Sequence, residues 1–201
     1  MNRIERAAVA AGLAAMLAAC SGTRMPERFH SLLGAERAPP AARATPVYVD
    51  VAPVRVPAQV DRAQWAVRQA DDSLLLLEQD RWASPLAEEL RGAIVEGLSA
   101  RWSALDVGGV ALPAPAVWRV RVDVQRFESL PGREARLDAA WSLSSSQRGG
   151  ATLVCRHVLA EGTAEAGVAA LAAAHRRAVA RLVDEIGRRL QAMHAGQPAN
   201  C

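Results

Sequence analysis

Trp118-Arg119-Val120-Arg121-Val122-Asp123-Val124-Gln125 is followed, beyond Pro131-Gly132, by Glu134-Ala135-Arg136-Leu137-Asp138-Ala139-Ala140-Trp141-Ser142-Leu143. In both runs apolar and polar residues alternate, which places one set on each face of an extended strand. Trp118, Val120, Val122 and Val124 belong to a core-facing set; Arg119, Arg121, Asp123 and Gln125 belong to the other. A second turn at Gly149-Gly150 leads into a third run over 152–159. Short turns between alternating strands imply an antiparallel meander with one buried face.

The elements on either side complete the fold. Upstream, Ser84-Pro85 reads as the N-cap and first-turn proline of a helix whose stripe is Leu86, Leu90, Ile94, Leu98 and Trp102. Glu88 and Glu89 suit its N-terminal end and lie off that stripe with Arg91 and Glu96. Downstream, Val168, Leu171, His175, Val179, Leu182, Ile186 and Leu190 mark a last helix over about 167–193. Before the first helix, Val47, Val49 and Val51 alternate with Tyr48 and Asp50 in a strand whose end Pro53 and Pro57 turn out of the sheet or place at its edge. The stretch 61–67 and the run Leu74-Leu75-Leu76-Leu77 flank Asp71-Asp72-Ser73 as a hairpin. Its leucines suit either a buried strand or an edge covered by a partner. Residues 29–33 suggest a short first strand, and 106–115 a Gly/Pro loop. The expected fold is α+β, a two-layer sandwich: a mixed or antiparallel sheet with two helices packed on one face. One domain spans 47–195, preceded by an Ala/Pro-rich linker and followed by a flexible tail at 196–201.

The N-terminus carries a different signal. Arg3 and Arg6 precede an apolar run that ends Leu17-Ala18-Ala19-Cys20. The run is shorter than the roughly 20 residues a membrane-spanning helix needs, and its small-residue exit fits a secretory signal peptide over 1–19. Leu-Ala-Ala-Cys resembles the lipobox of bacterial lipoproteins. That resemblance implies cleavage before Cys20 and acylation of its thiol and new amino group, with residues 20–46 as lipidated start and tether. Ser21 after the cysteine resembles the outer-membrane default of that family. Cleavage after Ala19 by an ordinary signal peptidase, and a buried Ala-rich helix, are the alternatives.

Charge and cysteine content narrow the function. The formal charge is +3 with every basic residue an arginine, and acids and arginines interleave. No basic field for nucleic acid is expected. Cys155 and Cys201 could be bridged in an oxidising compartment, or Cys155 could be a small buried apolar residue. Cys155 and His157 share a strand face, yet no further ligand stands at metal-binding spacing. Without a Gly-x-Ser-x-Gly, phosphate-loop or His-Glu-x-x-His pattern, no enzyme activity, metal or cofactor is expected.

Three segments, in order, resemble the PqiC-like family of ABC-transport auxiliary lipoproteins. The first is Val54-Arg55-Val56-Pro57-Ala58-Gln59-Val60-Asp61-Arg62-Ala63-Gln64-Trp65. The second is Asp80-Arg81-Trp82-Ala83-Ser84-Pro85-Leu86, and the third Ala173-Ala174-His175. Asp80 stands where that family usually has Asn, and Ala63 where it usually has Pro. The resemblance implies a lipoprotein on the periplasmic face of the outer membrane that serves an MCE-type lipid transport system and membrane integrity. Its implied partner is a periplasmic MCE-domain protein, with homo-oligomerisation left open. Asp61, Arg62, Arg81 and Trp82 are the candidate partner contacts; a bracing role for them between hairpin and helix is the alternative. A structural envelope lipoprotein and a periplasmic lipid-binding carrier are the competing functions.

Overall fold

The computed structural model describes residues 25–34, 46–110, 116–147, 149–163 and 165–201. The predicted signal peptide, Cys20, the first part of the tether and most of the linker lie outside them. Among the described residues, eight strands and two helices follow one another: β1 (Arg28–His30), β2 (Val47–Val51), β3 (Gln64–Arg68), β4 (Leu74–Trp82), α1 (Leu86–Trp102), β5 (Ala104–Asp106), β6 (Trp118–Leu130), β7 (Glu134–Ser145), β8 (Thr152–Gly162) and α2 (Val168–His194).

The meander forms as its alternation requires: β6, β7 and β8 pair antiparallel, with Trp141 opposite both Val122 and Cys155. Val120, Val122, Leu137, Ala139, Trp141 and Leu143 are buried on the inner face. β2 joins it parallel to β6, and β5 pairs parallel with β2, giving the order β5-β2-β6-β7-β8. A parallel neighbour needs a crossover, and the hairpin with α1 supplies it. After Val51 the chain turns out through Pro53, and Arg55 returns to bridge Asp123.

The fold is the predicted α+β class, with its strands divided between two mixed sheets. β3 and β4 form the predicted hairpin, and β1 adds to β4 in parallel, making a separate sheet ordered β1-β4-β3. β5 is not among the expected strands and shares only Asp106 with the stretch read as loop; three residues are too few to show a period.

Two local expectations are corrected. Pro85, not Ser84, holds the cap position of α1, with φ −49° and ψ 135° and no side-chain cap bond. The Ser84 hydroxyl instead donates to Glu89 Oε1 at 2.9 Å. The segment 196–201 ends in a disulfide, since Cys201 is bonded to Cys155 on β8.

Leu86, Leu90, Ile94 and Leu98 of α1 and Leu171, Leu182, Ile186 and Leu190 of α2 are fully buried. The helices pack against each other where small residues let them approach. A Cβ added to Gly187 would lie 2.4 Å from the Trp102 ring, and that ring is tied by Nε1 to Asp184 Oδ1 at 3.2 Å. Alanine normally gains about 1 kcal/mol over glycine inside a helix. Here the overlap must push Trp102 or the helix aside. Gly187→Ala should therefore destabilise the protein by about 1–3 kcal/mol, read from urea unfolding. A midpoint at or above that of the wild type would refute the close packing.

Candidate interaction surfaces

Strand pairing brings the two candidate segments side by side. Gln64 lies opposite Arg81, and the Trp82 N–H donates to the Ala63 carbonyl at 3.0 Å. Asp61 and Arg62 are exposed and make no ion pair with each other or with Arg81. Arg81 is half-buried, with Nη2 on Glu27 Oε1 at 3.1 Å. Trp82 departs from the expectation of a partner contact. It is only 5% exposed and stacks on Trp65 with ring centroids 4.0 Å apart. An amphipathic residue next to a strand end can face either way, and here the neighbouring Trp65 draws it inside.

The third segment of the resemblance ends in the same place. The Trp65 indole N–H donates to Ser129 Oγ at 3.0 Å, and that oxygen lies 2.9 Å from His175 Nε2. Phe127 stacks on the His175 ring at 3.9 Å. Trp65, Trp82 and His175, one from each segment, thus form a single aromatic cluster between the small sheet, the end of β6 and α2. Burial of the wholly enclosed His175 pushes its pKa down to about 3. Trp65, Trp82 and His175 are thus spent on holding the two sheets together.

Two buried carboxylates that were not among the candidate site residues, Asp80 and Glu89, fasten residues 25–34 to the body. Asp80 accepts two bonds from Arg28, at 3.0 and 2.7 Å, and faces His30 Nε2 at 2.8 Å. Burial pushes the Asp80 carboxyl up, but the bonds from Arg28 and His30 outweigh it and hold it below the ordinary value. Glu89 accepts from the Ser31 hydroxyl at 2.7 Å, the Leu32 N–H at 2.8 Å and Ser84. An acid off an apolar stripe reads as solvated, so sequence periodicity gave no sign that Glu89 turns inward.

The helix-free face of the five-stranded sheet is open to solvent. A groove of about 500 Å³ crosses it, lined by Pro53, Arg55, Arg121, Gln125, Ser142 and Val154 among others. Val154 and Val158 are 68% and 55% exposed there. Arg55 pairs with Asp123, and Arg119 with Asp50 at 2.9 Å. Among the described residues, Arg121 and Arg156 have no carboxylate within ion-pair distance. Apolar side chains beside unpaired guanidinium groups can receive an acidic, partly apolar surface.

The cysteine and histidine of β8 are both engaged. Cys155 is bonded to Cys201, while His157 accepts from the Trp141 indole at 3.0 Å and lies 3.3 Å from Glu185. Among the described residues, no group of three or more His, Cys, Asp or Glu is placed to hold a metal ion, and no helix is long and apolar enough to cross a membrane.

A family model described as "ABC-type transport auxiliary lipoprotein component" matches residues 31–187. No curated protein matches the chain. Among solved structures, an uncharacterized protein superposes with a TM-score of 0.65 at 16% identity, covering 82% of this chain and 98% of its own. Protein XCC0632 from Xanthomonas campestris, assigned to DUF330, gives 0.59 at 21% identity, covering 78% and 96%. At these identities the two structures show a shared fold.

Proposed function

The chain belongs to the ABC-type transport auxiliary lipoprotein component family, and from that premise we propose that it is the outer-membrane docking subunit of an MCE-type lipid transport system. In this reading Cys20 is acylated and holds the domain on the periplasmic face of the outer membrane. The helix-free sheet face then receives the periplasmic MCE-domain protein, and the assembly supports lipid movement between the membranes and membrane integrity.

The observation that supports it best is the division of labour in the fold. Trp65, Trp82 and His175 build the interior, while a sheet face with an open groove and, among the described residues, two arginines without an ion pair stays uncovered by either helix. An interface core of exposed valines with flanking charges fits association between proteins. Asp61 and Arg62, exposed at the entrance to the hairpin, are proposed as its outer rim.

Co-purification with a periplasmic MCE-domain protein from the same cells tests the reading. Arg121→Glu combined with Val154→Asp should weaken the complex on the order of tenfold or more, since each 1.4 kcal/mol is a factor of ten. Both side chains face solvent, so the fold should persist by circular dichroism. Unchanged affinity would remove the sheet face from the interface. No association of the wild-type protein would remove the transport role.

A further inference from the structure

Leu74-Leu75-Leu76-Leu77, the first half of β4, is unusually open for a leucine run. Leu74 and Leu75 are 37% and 45% exposed, and Leu76 and Leu77 are half-buried. β3 covers one edge of this stretch. On the other edge β1 pairs only with Asp80, Arg81 and Trp82, so among the described residues 74–79 have no strand beside them on that edge.

The direction of β1 says what lies nearby. β1 runs parallel to β4 in the register Arg28 to Asp80. The chain therefore reaches Arg28 from the side on which Leu74–Gln79 extend. That chain is the tether: Arg28 can stand at most about 27 Å from Cys20, and Met25 about 17 Å. Leu74 lies about 20 Å back along the strand from Asp80. The leucine stretch and the chain leading into β1 thus lie on the same side of the small sheet, the reach of the tether is comparable to the length of that stretch, and Met25 is 73% exposed.

We propose that the Leu74–Leu77 edge rests on the phospholipid surface to which Cys20 is tied, with its leucines at the boundary between headgroups and acyl chains. The inference rests on Cys20 being acylated. A lipid anchor alone leaves a domain free to swing, whereas a second, apolar contact beside the tether fixes its orientation. The contact is shallow, because Asp71 and Asp72 close the hairpin tip and Glu78 follows the leucines. Ser73 donates both its N–H and its hydroxyl to Asp71 Oδ1, which holds that carboxyl below its ordinary pKa. Charged acids at the tip favour a surface rich in zwitterionic headgroups over an anionic one.

The full processed chain, reconstituted in phosphatidylethanolamine–phosphatidylglycerol vesicles, provides the test. Leu75→Cys, and separately Leu74→Cys, introduces a thiol for an environment-sensitive fluorophore, the Cys155 and Cys201 thiols being joined and Cys20 acylated. Val158→Cys on the open sheet serves as reference. Nitroxide-bearing phospholipid should quench the label at 74 or 75 at least twofold more than at 158, and raising the phosphatidylglycerol fraction should weaken that quenching. Equal quenching at all three positions would overturn the inference. A blue-shifted but unquenched label would mean that a second copy or another protein covers the leucines, and would overturn it too. Intact mass of the same sample separates the remaining failure: absence of acyl chains on Cys20 would sink the anchor itself, and the inference with it.

Discussion

Cys201→Ser should lower the stability of the oxidised protein by about 4 kcal/mol, the value chain-closure entropy gives for a loop of this length. The bonded residues are 46 apart in sequence, and the loop between them holds the end of β8 and all of α2. Opening it releases the C-terminal helix from a long-range constraint in the unfolded chain. The substitution itself is mild, because residue 201 is exposed and serine buries no new polar group. Cys155, by contrast, is 4% exposed, and Cys155→Ala should lose the constraint and a small packing contribution besides. Urea unfolding with and without reductant checks both. Reduced wild-type protein should coincide with Cys201→Ser, and reductant should leave the variant unchanged. A drop below about 1 kcal/mol would mean that the unfolded chain stays compact enough to make the link redundant. The dependence on oxidation suits a domain that works in the cell envelope, where disulfides persist.

The meander and the two helices were legible because period-two and period-four patterns report burial directly, as at Val120 and Val122 or Leu86 and Leu90. The division into two sheets was not, since β3 and β4 alternate like any hairpin and nothing in them says which sheet they join. That choice is made by Trp65 reaching Ser129 and by Trp82 meeting Phe127, contacts between residues distant in the chain. Among the candidate contacts, Asp61 and Arg62 lie exposed as a surface role requires. Trp82 carried the same sequence cue and went to the core, because a tryptophan at a strand end serves an interface and an interior equally well. Asp80 and Glu89 were hidden for the opposite reason: a lone acid reads as solvated until its hydrogen-bond donors, supplied from 28–32, are placed beside it.

Acid should weaken the fold well above the range in which carboxylates titrate, and His175 is the reason. Its pKa falls from 6.5 to about 3 on folding because burial disfavours the cation. Protonation would place N–H groups on both ring nitrogens, and Nδ1 has no hydrogen-bond partner. Between these two pH values the unfolded chain binds a proton that the folded chain does not, so stability rises with pH across the window. Read downward, the loss begins near pH 6.5, proceeds at about 1.4 kcal/mol per unit and ends below about 3. Asp80 and Glu161 act lower. Burial raises the Asp80 carboxyl, but its bonds from Arg28 and His30 win; at Glu161 the bond from Arg181 is the largest influence. Both are held below their ordinary values, so their stabilisation is present above the unfolded carboxylate pKa and disappears as pH falls through the folded one. Urea midpoints between pH 6.5 and 5 should therefore reveal about 2 kcal/mol of loss from His175. His175→Phe removes the titrating group and should flatten the profile by that amount, whatever it does to stability at pH 7. Because that variant also strips Ser129 of a partner, the His175 ring proton shift by NMR supplies a second reading, and it should stay at its neutral value down to pH 5. Equal slopes for variant and wild type, or a ring that titrates near 6.5, would show that the cluster admits water and that the two sheets are not sealed against each other there.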